Sequence, residues 1–398
     1  MERVAITPRE GWQSKVEQVG FDWHTPEGQT YWDESVYWKL SASEVEQLRS
    51  AANEAQSLLM DTINQIVIGK ELPLYGFDGA LGELIEKSWN ERLGAPTLMG
   101  RFDFGFDGIQ PRLLDYNSET YSSLFETSVV QRQWVEDSFP GISLPSVQFN
   151  KLNEQLGMVL RKLAASQRAT VRYDGDPAPI MHFTTMTPNA ETEGNARYLL
   201  KLAQASGLNS DFVGLTDIGW HSDGYFCDLQ NRQISSLVKI WPLAWLLEDD
   251  FGQKLASEAL DGNVTLIEPP WKLLAQNKRV LAAMWDRNAY NPMLLNTSPM
   301  NSPVLAGATG IVRKPANGVD GQNIRVYNLD GTIADETSGN YEADQFVFQE
   351  RANLAQADGK FAVCNVWVVG GEACALGIRE ADTIIGDIAA RFIPHAIG

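Results

Sequence analysis

Asp103 and Asp115, with Arg101 and Asn117 beside them, are the residues whose types and spacing point most directly to chemistry. They lie in the stretch MGRFDFGFDGIQPRLLDYNSETYSSLFET, Met99 to Thr127. In its first strand Phe102, Phe104 and Phe106 share one face, which leaves Arg101, Asp103 and Gly105 on the other. In its second strand the alternation predicts Leu114 and Tyr116 on one side and Leu113, Asp115 and Asn117 on the opposite side. With Asp107 to Pro111 as the hairpin loop, Asp103 falls across from Asp115 and Arg101 across from Asn117. Two carboxylates ~5 Å apart repel by about 3 kcal/mol at an effective dielectric of ~20, a large part of a domain's stability. Something positive must sit between them. One solution is a hard divalent cation such as Mg²⁺, which takes carboxylate and amide oxygens and commonly binds substrate phosphate as well. The other is Arg101 alone, in a structural ion-pair cluster.

Two further stretches carry chemistry. GIVRKPANGVDGQNIRVY, Gly310 to Tyr327, reads as a strand ending at Lys314, a loop with Gly318 and Gly321, and a strand returning from Asn323. Such a loop either turns the chain or brings backbone N–H groups to a phosphate chain beside the Lys314 charge. It is not a P-loop, because GxxxxGK[ST] is absent. Towards the end, strand Phe361 to Val369, the Gly370-Gly371 turn and a strand through Leu376 to Arg379 are followed by RFIPH. Arg379 has Glu380 and Asp382 as neighbours and ready salt-bridge partners.

Helices and further strands must position these groups. Met1 to about Ser41 is irregular and aromatic-rich, with Trp12, Phe21, Trp23, Tyr31, Trp32, Tyr37 and Trp38 as a clasp or as core anchors. Ser41 to Glu44 matches a capping box and opens a long amphipathic helix through Leu48, Ala52, Ala55, Leu59, Ile63 and Ile66. A second helix is expected over Gly79 to Leu93, and a third from about Ser122 to Asp137. Then comes alternation: helix 151 to 166, strand Pro179 to Thr185, helix Ala190 to Ser206, strand Asp211 to Asp217. That order predicts a parallel sheet with covering helices. A hairpin of Tyr225 to Leu229 with Ile234 to Trp241, strand Val264 to Glu268 and helix Trp271 to Trp285 complete the reading.

Composition sets the bounds. A chain of 398 residues with 44% hydrophobic content can bury two or three domains or one large α/β core. Its net charge of −19 argues against nucleic acid and anionic membrane as partners. The same charge repels a nucleotide triphosphate, so an ATP site must reverse the field locally with its own Lys, Arg and Mg²⁺. The cysteines, Cys227, Cys364 and Cys374, form no CxxC and no disulfide or zinc framework. The four histidines are scattered, which argues against a His-rich metal site. MERVAITPREGW has no apolar signal region, so a cytoplasmic protein is expected.

Together the stretches resemble a known family. GRFDFGFDG, LLDYNSETYSSL, EPPWKLLAQNKRVLAAMW, VRKPANGVDGQNI, FVFQE and VGGEACALGIRE are similar, in order, to motifs of the synthetase domain of glutathionylspermidine synthetase and its relatives. The resemblance covers nearly the whole chain and implies an ATP-grasp carboxylate-amine ligase. It implies a mixed α/β fold, ATP-grasp with a preceding pre-ATP-grasp α/β domain. The expected division is an N-terminal aromatic-rich and helical segment (1–98), a metal-binding hairpin with its helix (99–145), an α/β substrate domain (146–262) and a nucleotide-binding region with a glycine-rich lid (263–398).

The resemblance also implies roles. Arg101 would hold the acceptor carboxylate and its phosphate, and Arg379 would stabilise the transferring group. Asp103, Asp115 and Asn117 would ligate two Mg²⁺ ions. Lys278 and Lys314 would lie on the ATP phosphates with Gly318 and Gly321, and Gln349 and Glu350 where a strand meets adenine. The implied reaction converts a small-molecule or peptide carboxylate into an acyl phosphate, which an amine, with polyamines among the candidates, then opens to an amide. Three departures stand out: Asp115 replaces a usual Glu, RANLAQADGK replaces a run ending in Pro-Lys, and WPLAW replaces a Trp-Glu pair. The amidase half of bifunctional members is not found in this chain, so product hydrolysis is not expected. Two other classes remain open at this level. A glycosidase would use Asp103 and Asp115 as acid and base but leaves Lys278 and Lys314 unexplained. A non-catalytic relative would bind a nucleotide or peptide only.

Overall fold

The computed structural model describes residues 1–169, 179–301, 305, 307, 309–342 and 344–398. Its longest helix, Ala42–Ile68, begins at the expected capping box: Glu44 N–H donates to Ser41 Oγ (3.2 Å) and Ser41 N–H to the Glu44 carboxylate (2.8 Å). The apolar stripe read from the sequence, Leu48 to Ile66, is its buried face. That face packs on the long antiparallel strands Lys360–Val369 and Glu372–Ala381.

Those strands and the Met99–Gly105/Arg112–Asn117 hairpin belong to one six-stranded sheet. Strand Lys360–Val369 lies directly beside Met99–Gly105, with Asn365 opposite Asp103 and Trp367 opposite Arg101. Phe102, Phe104, Phe106, Leu113 and Tyr116 enter the same core as the long helix. The hairpin register is the expected one, Asp103 across from Asp115 and Arg101 across from Asn117. A bulge after Asp103 changes the facing of the next residues, however, so that Leu113 pairs with Phe104. Leu113 is therefore core and Leu114 lines the cleft, the reverse of strict alternation.

A five-stranded antiparallel sheet holds Ile311–Pro315, Arg325–Tyr327, Ile333–Glu336, Phe346–Glu350 and Thr297–Ser298. A separate four-stranded sheet is wholly parallel, in the order Thr265–Ile267, Ser236–Lys239, Met181–Thr184, Ser210–Phe212. The fold class is accordingly mixed α/β. The expected 225–241 hairpin forms only at its tip, where Ile234 N–H reaches the Phe226 carbonyl (2.8 Å). Beyond it, Ser236–Lys239 joins the parallel sheet, because Leu237 and Val238 are apolar and buried and demand cover on both faces. Glu2–Ala5, Val36–Leu40 and His395–Ile397 form a sheet that brings the two ends of the chain together. The N-terminal aromatics are core anchors: Phe21, Trp23 and Trp32 are buried among Phe125 and Phe392. Among the described residues no helix is long and apolar enough to cross a membrane.

Candidate active site

A cavity of about 270 Å³ lies between the six-stranded and five-stranded sheets. Arg101, Asp103, Asp115, Asn117, Lys278, Lys314, Gly318, Gly321 and Arg379 all line it. Five cations (Arg101, Lys278, Lys314, Arg351, Arg379) and four carboxylates (Asp103, Asp115, Asp320, Asp387) face this space, a local balance of about +1. Cations thus slightly outnumber carboxylates along this lining, although the chain as a whole carries a net charge of −19.

Asp103 occupies the middle strand of the floor. Arg101 grips it through Nε (2.8 Å) and Nη2 (3.1 Å), and the Nδ2 groups of Asn117 (2.9 Å) and Asn365 (2.7 Å) complete its shell. Arg101 is itself fixed by Nη1 donating to the Ser122 carbonyl (2.9 Å). The repulsion between facing carboxylates is offset by two cations rather than one, since Lys278 Nζ sits 3.0 Å from Asp115 Oδ2.

Lys278 owes its place to a break in the chain. The expected helix over 271–285 divides into Lys272–Gln276 and Arg279–Arg287. Asn277 turns extended and its Oδ1 accepts the Arg279 N–H (3.0 Å), while Lys278 N–H is taken by the Ala316 carbonyl (2.8 Å). The break aims Lys278 at the glycine loop, where Nζ also donates to the Gly318 carbonyl (2.7 Å). Lys314, from the neighbouring sheet, donates to the Leu114 carbonyl (3.0 Å) and to Gln349 Oε1 (2.7 Å). Burial pushes its ammonium down to about 8, against the opposing pull of Asp115.

Gln349 and Glu350 do not line the cavity. Gln349 is buried behind it and holds Lys314, while Glu350 pairs with Arg112 Nη2 (2.9 Å). Arg379 does not pair with its sequence neighbours either: Glu380 is buried against Arg3 and Arg391, and Asp382 pairs with Lys360 and Arg391. Its guanidinium donates instead to the Ala390 carbonyl (3.0 Å) and lies over the Tyr31 ring. Gly321 must be glycine. Its φ is +69°, and a Cβ there would stand 2.5 Å from the Gly386 carbonyl oxygen. The segments that depart from the family pattern also reach the cavity, through Pro242 and Trp245 and through Arg351, Ala352 and Leu354.

Sequence reasoning missed three contributions. Asn365 is one, carried to Asp103 by a strand more than 250 residues away in sequence. The second is an acidic group near Arg379. Buried Glu126 accepts from Trp23 Nε1 (3.0 Å), and burial, with Glu126's charge second, pushes Glu191 up to about 7. Third, Glu268 and Lys272 of EPPWK clamp the hairpin. Glu268 accepts from Leu98 N–H (2.9 Å) and Met99 N–H (3.0 Å), and Lys272 reaches the Met99 and Ser118 carbonyls. Only a charged pair inside an otherwise apolar motif could have signalled that clamp.

Among the described residues, no three His, Cys, Asp or Glu side chains form a metal cluster. The floor offers two carboxylates and neighbouring amide oxygens, a hard donor set that suits Mg²⁺, which keeps waters and shares substrate phosphates. Burial pushes the Cys364 thiol up to about 12, which disfavours it as a nucleophile. Buried cations and two facing carboxylates thus share one cleft between two antiparallel sheets.

The chain belongs to the glutathionylspermidine synthase preATP-grasp family, whose model matches residues 3–398. A protein of Haemophilus influenzae named "Putative acid--amine ligase" is 30% identical over 408 residues, covering 99% of each chain. The bifunctional glutathionylspermidine synthetase/amidase of Escherichia coli (strain K12) is 22% identical over 375 residues, 88% of this chain and 57% of that protein. This chain thus matches little more than half of that bifunctional relative. Among solved structures, a glutathione synthetase-like effector from Globodera pallida in its apo form superposes with a TM-score of 0.54 at 10% identity, over 99% of this chain and 98% of that one. That likeness speaks to the fold alone.

Proposed function

We propose that this protein is an ATP-dependent carboxylate-amine ligase of ATP-grasp architecture, joining a small or peptide-like acid to an amine through an acyl phosphate. By its family it is a ligase that forms carbon–nitrogen bonds. The finer reading rests chiefly on one observation: Arg101, Lys278 and Lys314, each at most 8% exposed, share a cleft with the facing pair Asp103 and Asp115.

In this reading Val312, Ile324, Val326 and Leu354 form the apolar end of the cleft, suited to a nucleobase. Lys278 and Lys314 hold the phosphate chain, with Gln349 keeping Lys314 in place. Asp103, Asp115 and Asn117 would hold magnesium, which would supply positive charge against the phosphate oxygens. Arg101 holds the acid's carboxylate in line with the terminal phosphate, and phosphoryl transfer then depends on positioned cations, with little covalent work for the protein. Arg379 stabilises the oxyanion formed when the amine attacks. The Gly318 to Gly321 loop covers the cleft and keeps water from the acyl phosphate.

The test is a thermal-shift titration with Mg-ATP followed by a screen of acids and amines for ADP formation. Stabilisation by Mg-ATP, and ADP release only when acid and amine are both present, are expected. Indifference to Mg-ATP would reject the reading. Binding without turnover against any pair would leave a nucleotide-binding relative as the better description.

A further inference from the structure

Asn365 interrupts an apolar strand, VCNVWVV, and a buried amide is costly there unless both of its ends are satisfied. Only one end is. Its Nδ2 donates to Asp103 Oδ1 at 2.7 Å. An ionised carboxylate only accepts, so the amide's NH₂ is the group that bonds Asp103 and Oδ1 takes no part in that contact. The residue is 2% exposed and lines the cavity, yet Oδ1 is buried with no hydrogen-bond partner.

The nearby cationic side chains donate to other acceptors, not to Asn365 Oδ1. Arg101 gives Nε and Nη2 to Asp103 and Nη1 to the Ser122 carbonyl. Lys278 serves Asp115 and the Gly318 carbonyl, and Lys314 serves Leu114 and Gln349. A buried neutral oxygen without a hydrogen-bond partner, on a residue that touches Asp103 and lines a cavity that also presents Asp115 and Asn117, is a donor suited to a hard divalent cation. We propose that Asn365 is a further metal ligand: the cation site spans three adjacent strands, with Asn117 and Asp115 on one, Asp103 on the next and Asn365 on the third. This rests on the reading that the cleft holds a divalent cation.

The competing role is orientation alone, in which Asn365 matters only as an N–H donor to Asp103. Asn365→Asp separates the two, because it keeps the oxygen and removes the donor. The experiment is Mn²⁺ binding to the full chain, by calorimetry and by electron paramagnetic resonance, with and without a non-hydrolysable ATP analogue. Asn365→Ala is expected to weaken Mn²⁺ binding by about tenfold or more. Asn365→Asp is expected to bind Mn²⁺ at least as tightly as wild type, and its melting temperature should be depressed without metal and recovered by Mn²⁺. Weaker binding by Asn365→Asp would overturn the proposal in favour of orientation, as would wild-type affinity in Asn365→Ala. If Asn365→Ala does not fold, Asn365→Asp carries the test. Failure of the wild-type chain to bind Mn²⁺ under either condition would overturn the cation-binding reading itself.

Discussion

Lys278 Nζ lies 3.0 Å from Asp115 Oδ2 and 2.7 Å from the Gly318 carbonyl oxygen, so one ammonium ties the carboxylate floor to the glycine loop. A phosphate chain entering the cleft would take over these contacts. Lys278→Met should therefore weaken Mg-ATP binding by about 10- to 100-fold, the loss of one charge-assisted contact. Calorimetry checks this, and wild-type affinity would remove Lys278 from the phosphate site.

Asp115→Asn keeps the shape of the floor and removes one of its two charges. ADP formation is expected to fall by at least about 100-fold while the melting temperature without ligand changes little, because charge stabilisation is the largest catalytic term proposed here. Retained turnover at saturating magnesium would contradict the role given to Asp115.

Lys314 carries a pH signature. Its ammonium, pushed down to about 8 by burial, loses its proton in the free protein as pH rises past that value. Bound polyphosphate favours the charged form, so above about pH 8 binding takes up a proton and affinity falls as pH rises. Calorimetry in buffers of different ionisation enthalpy measures this uptake. Lys314→Met should abolish it.

Glu191 gives the opposite kind of signature, in stability. Its carboxyl, pushed up to about 7 in the fold from an ordinary 4.5, holds its proton over a range in which the unfolded chain has released it. Between those values the folded state binds more protons, so stability declines as pH rises through the window. Glu191→Gln should match wild type near pH 4.5 and melt several degrees higher above pH 7. Parallel melting curves across pH would show that Glu191 is not strained in this way.

The clamp beneath the hairpin is a matter of stability rather than chemistry. Lys272 and Glu268 are both buried, with Nζ and Oε2 2.6 Å apart. Lys272→Met strands the Glu268 charge and should cost about 3–5 kcal/mol in denaturant unfolding. Adding Glu268→Gln should recover part of the loss.

Local patterns made much of this legible. Alternation around Asp103 and Asp115 announced a hairpin and its register, because a two-residue period leaves each side chain only two faces. Ser41 and Glu44 announced the long helix, because a capping box satisfies the helix's own first amides. The bulge that turned Leu113 inward and Leu114 outward left no such mark, since it follows from how Asp103 and Phe104 meet the opposite strand. The break at Asn277 was hidden for a similar reason: a periodic helix pattern continues through it, and only the Ala316 carbonyl reveals why it stops.

The sequence alone determined the motifs, their order and hence the family, since these depend on residues close together along the chain. Tertiary structure decided which distant groups share a site. It placed Asn365 beside Asp103, set Gln349 behind Lys314 and gave Asp115 its cation in Lys278. Such pairings are won by packing whole sheets against one another, and no short-range pattern records them.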